Sequence, residues 1–257
     1  MPWSPSSRLP ARAGSASAVQ GRGEPGRDRR PQAAEVLRRA LALFAVAARA
    51  AMEADAARAD AADWQARMLA WLARTGLDAE LENGERALLQ APPGSLGEAA
   101  VLDAGWRAEG VYALAWALGV HPPLPHDRLA DPNDLAGPLG FLDTRALEAL
   151  EAASLRPEHE IDSFLARQLA VHWRLREYAL RPGPMDFAAV VATGGWARLD
   201  IDAAALIDRD LAIDGDPIDR AASDAISRCT SIASERHRAA SWLAGADPLY
   251  SNVETIT

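Results

Sequence analysis

The chain has 257 residues, 49% hydrophobic and 25% charged, which allows one sizeable buried core or two small ones and excludes a wholly disordered protein. All 27 basic residues are arginine, so Schiff-base chemistry and a phosphate-loop lysine, which both need an amine, are excluded. Residues 1–31 carry a balance of +4 and the remainder −13, giving the net −9; an acidic body lacks the basic face that neutralises phosphates, so nucleic acid is not an expected partner.

Residues 1–31 are rich in Pro, Ser, Gly and Arg without apolar periodicity, and are expected to form a disordered tail ahead of a single helical domain over 32–257. Arg29-Arg30, Arg38-Arg39 and the apolar run from Ala40 to Ala48 imitate a signal peptide. The run is shorter than the ~20 residues a bilayer span requires. Glu35 precedes it and Arg49 ends it, so a cytoplasmic chain without membrane contact is expected.

Val36, Leu37, Ala40, Leu41, Phe44 and Ala48 then recur at helical spacing after Pro31. A second helix starts near Asp60 or Asp63, carries Trp64, Met68, Trp71 and Leu72 on one stripe, and stops at Thr75-Gly76. Glu82 to Gln90 predicts a third, halted by Pro92-Pro93-Gly94. The fourth runs from about Leu96 to Gly119, with Gly105 as a candidate break. Residues 121–142 hold Pro122, Pro123, Pro125, Pro132, Gly137, Pro138 and Gly140 and are expected to be mostly loop.

Thr144 to Ala153 predicts a short helix, and Pro157 opens a long one reaching about Leu180. Trp196 to Ile201 and Leu206 to Ile213 alternate apolar and polar residues, and Asp214-Gly215 is a turn signal, so a β-hairpin is expected over about 196–217. The aspartates at 200, 202, 208, 210, 214, 216 and 219 fit its wet face. An EF-hand started at Asp208 fails at Ala212 and Ile213, so calcium is not expected. A last helix spans about Ile218 to Ala244, stopped by Gly245, and 246–257 form an extended tail. The predicted fold class is therefore mainly α, a multi-helix domain with a small hairpin before the last long helix.

Three helices carry the side chains that could do chemistry. Trp106 to Leu118 is apolar around its whole circumference except at Arg107 and Glu109, and buried charges need partners. On Ile161 to Tyr178, Asp162, Leu165, Leu169, Trp173 and Arg176 share a face, with His172 beside Trp173. The third helix holds Glu235-Arg236-His237 and Trp242; Glu235 and His237 are about 160° apart at ~100° per residue, so they are not an i, i+4 metal pair. No metal and no cofactor are expected, and Cys229 reads as a small buried residue.

Arg107, Glu109, His172, Arg176, Glu235, Arg236 and His237 form the candidate polar cluster, framed by Trp106, Trp116, Trp173 and Trp242. One reading makes the charges interhelical salt bridges that set packing. The other makes them a pocket for an anionic small molecule clamped by arginines. His172 and His237 are the candidates for proton transfer, with Glu235 as orienting acid.

The order Trp106-Arg107-x-Glu109, Trp116 to Gly119, His172-Trp173, Arg176, Glu235-Arg236-His237 and Trp242-Leu243 resembles the bacterial family domain of unknown function 4272, over roughly residues 33–257. The resemblance implies a helical domain and brings no activity. Ser241 stands where an asparagine is expected, Ile256 where an aspartate lies between Thr255 and Thr257, and Ala166 and Ala170 where an acid and an arginine are expected. These departures put a shared catalytic role in doubt. The chain is expected to be a non-enzymatic interaction or accessory protein with a protein partner or a second copy of itself. The alternative is a binder of an anionic small molecule, or an enzyme, with its site between the Trp106, His172 and His237 helices.

Overall fold

A computed structural model of the chain describes residues 29–55, 59–195 and 197–255. The expected disordered tail up to Asp28, Trp196 at the expected start of the hairpin, and Ile256 and Thr257 lie outside the described residues. Arg30 ion-pairs with Asp162 at 2.6 Å, so the end of that tail lies against the body.

The described residues form nine α-helices and a small sheet: α1 (Ala33–Glu53), α2 (Ala61–Thr75), α3 (Asn83–Gln90), α4 (Glu98–Ala117), α5 (Pro132–Leu139), α6 (Ala146–Ala152), α7 (Glu158–Leu180), α8 (Phe187–Thr193), β1 (Leu206–Ile207), β2 (Asp210–Ile213), β3 (Asp216–Pro217) and α9 (Ser223–Leu243). Among them, no helix is long and apolar enough to cross a membrane.

Helix α4 is the centre. It runs unbroken through Gly105, and every residue from Glu109 to Ala117 is buried, as its all-round apolar pattern requires. It packs most extensively on α1 and then on α9, which in turn packs on α7. The alanines of α1 and α4 let the two backbones approach without side-chain bulk between them. Gly76 and Gly245 both adopt positive φ after α2 and α9, the stops that the sequence signals.

Two main apolar clusters result, beside a small contact of Val46 and Ala50 with Ala104. The larger gathers α1 to α6, the first half of α7 and the C-terminal half of α9; the smaller joins the second half of α7 to Phe187, the sheet and the first half of α9. Helices α7 and α9 therefore belong to both.

The segment 121–142, expected to be mostly loop, contains α5. Asp131 accepts from the Asn133 N–H at 2.8 Å, Pro132 fills the first turn, and Leu135 and Leu139 bury one stripe. Pro138 brings no N–H to the last turn, and the helix stops at Gly140 in the left-handed region. Helix α8 is likewise absent from the sequence expectation; Asp186 caps it and Phe187 anchors it.

The hairpin expectation is right in place and wrong in detail. The sheet has three short antiparallel strands in the order β1-β2-β3, and residues 197–202 lie outside it. Leu206 pairs with Leu211 and Ala212 with Pro217. Its tight turns are Asp208-Arg209 and Asp214-Gly215, all four at positive φ, as two-residue turns matching strand twist require. All four residues of β2 are buried, so Asp210 is not on a wet face.

The expected extended tail after Gly245 forms a 3-10 turn at Tyr250–Asn252 instead, and Tyr250 is buried.

Candidate functional site

The interior charges fall into separate closed groups where α4, α7 and α9 meet. In the first, Arg236 Nε donates to Glu109 Oε2 at 2.8 Å, Nη1 to the Pro125 carbonyl at 2.9 Å and Nη2 to the Arg128 carbonyl at 2.6 Å. Glu109 Oε1 accepts from the Ala130 N–H at 2.9 Å, and the guanidinium lies 4.4 Å from the Tyr112 ring centroid. The Tyr112 hydroxyl accepts from the Leu124 N–H at 2.7 Å. A buried pair of this kind survives because hydrogen bonds satisfy the remaining atoms of both ions. Its product is a fixed course for the proline-rich loop.

In the second, Arg107 Nη1 reaches both oxygens of Glu235 at 2.9 and 2.8 Å, and Nη2 reaches Asp103 at 3.2 Å. Burial works against the Arg107 charge, but the Glu235 carboxylate outweighs it and raises the arginine further. Arg238 donates to Glu235 Oε2 at 3.0 Å and the Tyr250 hydroxyl to Oε1 at 2.9 Å. Burial, then the Glu235 charge, pushes the Tyr250 hydroxyl well above its ordinary range. Gly110 makes this approach possible, since a methyl group there would collide with the Tyr250 hydroxyl.

In the third, His172 Nδ1 and His237 Nδ1 lie 3.1 Å apart across the α7–α9 seam, rings inclined at 71°. One must donate and the other accept, so at least one of the two rings is neutral. Burial lowers both to about 4; Arg176 and Arg238 add to the effect on His172, and His172 to that on His237.

Arg176 stands apart. It is exposed, and among the described residues it reaches the Thr255 carbonyl, at 3.4 Å. The tryptophans do not form one frame either. Trp116 stacks on Phe164 at 4.2 Å, Trp173 on Phe187 at 6.1 Å in the smaller core, Trp242 meets Tyr250 edge-on at 6.1 Å, and Trp106 is half-buried. On α7 the inward residues are Ile161, Phe164, Gln168, Val171, His172 and Leu175, with Ala166, Ala170 and Arg174, rather than the stripe from Asp162 to Arg176.

The sequence reading missed the best-formed ion pair. Arg174 holds Asp210 through Nε–Oδ1 at 2.7 Å and Nη2–Oδ2 at 2.6 Å, and the Met185 N–H adds 2.9 Å to Oδ2. Its signal was an aspartate in a strand whose neighbours, Leu211 and Ile213, are both apolar. Tyr112 and Tyr250 were missed as well; for Tyr112, flanked by Val111 and Ala113, the apolar neighbours were the available clue.

Two cavities open near these groups. The first, about 730 Å³, lies between α1, α3, α4 and the Pro248–Asn252 segment, with Arg39, Glu82, Glu85, Asp103, Arg107 and Tyr250 in its wall. Arg39 is already held by Glu85, by Glu82 at 3.5 Å and by the Glu80 carbonyl at 2.9 Å. Of the seven candidate polar residues, Arg107 alone lines it. The second, about 460 Å³, lies between α4, α7 and the sheet, and none of the seven lines it. Among the described residues, no three His, Cys, Asp or Glu side chains gather as a metal site.

No curated protein and no solved structure matches this chain. A family does match, over residues 22–214, a stretch that includes α1 to α8, β1 and β2 and stops before β3 and α9, so that Glu235, Arg236 and His237 lie beyond it. That stretch is more than half of the sequence, and the chain belongs to the family described as Domain of unknown function (DUF4272).

Proposed function

We propose that this protein works by binding rather than by catalysis, as a non-enzymatic interaction or accessory protein with a rigid helical body. The observation that supports this reading is the closure of its interior charge. An acid–base catalyst must reach a reacting atom with a free proton or lone pair. Glu109 has both oxygens engaged by Arg236 and Ala130, and Glu235 has both engaged by Arg107, Arg238 and Tyr250. The two histidines use Nδ1 on each other, and burial lowers both to about 4, which makes the remaining Nε2 atoms weak bases. Arg107 and Arg236 are occupied by carboxylates, which leaves little for clamping an anion. Cys229 is buried, and burial, then Asp127, lifts its thiol to about 12, far from a nucleophile's range. The lone buried cysteine supports a cytoplasmic setting, and the family resemblance a bacterial one.

The test uses the full chain. It is screened by thermal shift against metabolites, and each compound that raises Tm is incubated with the protein and followed by mass spectrometry. Compounds returned unchanged support binding without turnover. A compound consumed by wild type but not by Glu235→Gln or His237→Asn would overturn the reading. So would a strictly monomeric protein by light scattering that retains neither compound nor partner.

A further inference from the structure

The cavity of about 730 Å³ falls within the ~300–1,000 Å³ range of small-molecule sites. Its walls come from α1, the 3-10 turn Leu77–Glu80, α3, α4, Trp242 of α9 and the segment Pro248–Asn252. Part of the lining is apolar: Leu81, Leu88, Trp242 and Leu249, the last 50% exposed although it is a large aliphatic side chain. An apolar body seated there would take that surface out of water.

The polar lining is unbalanced. Four carboxylates, Glu80, Glu82, Glu85 and Asp103, stand against two guanidiniums, Arg39 and Arg107. Both arginines are already shared between carboxylates: Arg39 by Glu82 and Glu85, Arg107 by Asp103 and Glu235. The Nε of Arg39 has no partner, but it is sealed from solvent and so is not offered to a ligand. Glu80 is the exception among the acids. It is half-buried, its backbone carbonyl holds Arg39 at 2.9 Å, and its carboxylate pairs with no described residue. Burial also lifts the Glu85 carboxyl above its ordinary value although Arg39 pulls against it, so the carboxylates of this wall are short of positive charge. That balance disfavours a phosphate or carboxylate and favours a cation.

We propose that this cavity binds a small organic ammonium with an apolar body, its charge on the Glu80 carboxylate and its body against Leu81, Trp242 and Leu249. An ammonium makes a charge-assisted hydrogen bond to a carboxylate and is also drawn to an aromatic face within about 6 Å of the ring centroid. The aromatic part of this wall already holds one cation in that way, the Arg39 guanidinium at 5.3 Å from the Tyr250 centroid. The sign is the reverse of the anion that the arginines suggest from sequence, because carboxylates of the same chain occupy both guanidiniums. The site needs no proton transfer from the buried ion pairs, so binding here stands whether or not the protein proves catalytic.

Isothermal titration of the full chain with 2-phenylethylamine and hexylamine, against 2-phenylethanol and 3-phenylpropionate, tests the charge on nearly one body, and the same titrations on Glu80→Gln test its partner. Glutamine keeps the side-chain length and the backbone carbonyl that holds Arg39, so its Tm should match that of wild type, and a loss of binding is then not a loss of fold. The expected result is binding of at least one amine, with the alcohol weaker by tenfold or more, no measurable binding of the acid, and a tenfold or greater loss of amine affinity in the variant. Three results would each overturn the proposal: no binding of either amine at millimolar concentration, the acid binding as tightly as the amines, or equal amine affinity in the variant. Turnover of a bound amine would overturn the non-catalytic reading alone.

Discussion

The histidine pair makes the stability of this fold depend on pH in a window that few other groups share. His172 and His237 are 4% and 5% exposed, lie on facing helices, and titrate near 4 against an ordinary 6.5. The groups around them are cationic, Arg176 from α7 and Arg238 from α9, so a protonated ring gains no counter-charge there. A depressed folded value means that the stability is fully present above about pH 6.5 and is lost as pH falls toward 4, because the unfolded chain takes up protons that the folded chain refuses. At pH 5 each refusal is worth about 2 kcal/mol and the pair about 4 kcal/mol, relative to pH 8. Against a total stability of ~5–15 kcal/mol for an ordinary domain, that is a large fraction. Urea unfolding followed by far-ultraviolet circular dichroism between pH 8 and pH 5 measures it. His126, also lowered by burial, contributes in the same direction, so the decisive comparison is with His172→Asn, which keeps a polar group near the Nδ1 position and cannot titrate. The variant should lose about 2 kcal/mol less than wild type over that interval. A wild-type stability that is flat from pH 8 to pH 5, or an identical slope in the variant, would refute the neutral-pair argument.

Breaking the Arg174–Asp210 pair should cost about 3–5 kcal/mol, since Asp210→Asn leaves a fully buried guanidinium without its counter-charge; denaturant midpoints would show it, and a shift under 1 kcal/mol would mean the pair is dispensable. Gly110→Ala should lower Tm despite the ~1 kcal/mol of helix propensity it gains, because overpacking costs about 1–3 kcal/mol where the methyl meets Tyr250. Tyr250→Phe removes the obstructing oxygen, so the double variant should be no less stable than Tyr250→Phe alone; simple additivity would contradict the collision. Cys229 should resist thiol reagents in the native state and react only on unfolding, and rapid native labelling would show that the smaller core opens.

Much of the fold was legible from side-chain period. The stripes on α1 and α2, the all-round apolar surface of α4, the glycine stops at Gly76 and Gly245 and the Asp214-Gly215 turn are local signals, and local signals act within one or two helical turns. Helix α5 was not legible because a proline at its first turn and another near its end look like loop chemistry, while the burial of Leu135 and Leu139 that favours it comes from helices distant in sequence. Asp210 was misread for a related reason: alternation identifies a wet face only if one face of the strand stays wet, and β2 is covered on both.

The sequence alone marked Glu109 as a charge inside α4, because period places it among apolar neighbours, and named Glu235 on α9 as a candidate beside it. Only the tertiary structure decided their partners. Glu109 takes Arg236 and Glu235 takes Arg107, from residues more than a hundred positions away, and the choice depends on how two helices are rotated against each other, which no local pattern specifies. The same rotation turns Arg176, expected inside, out to solvent.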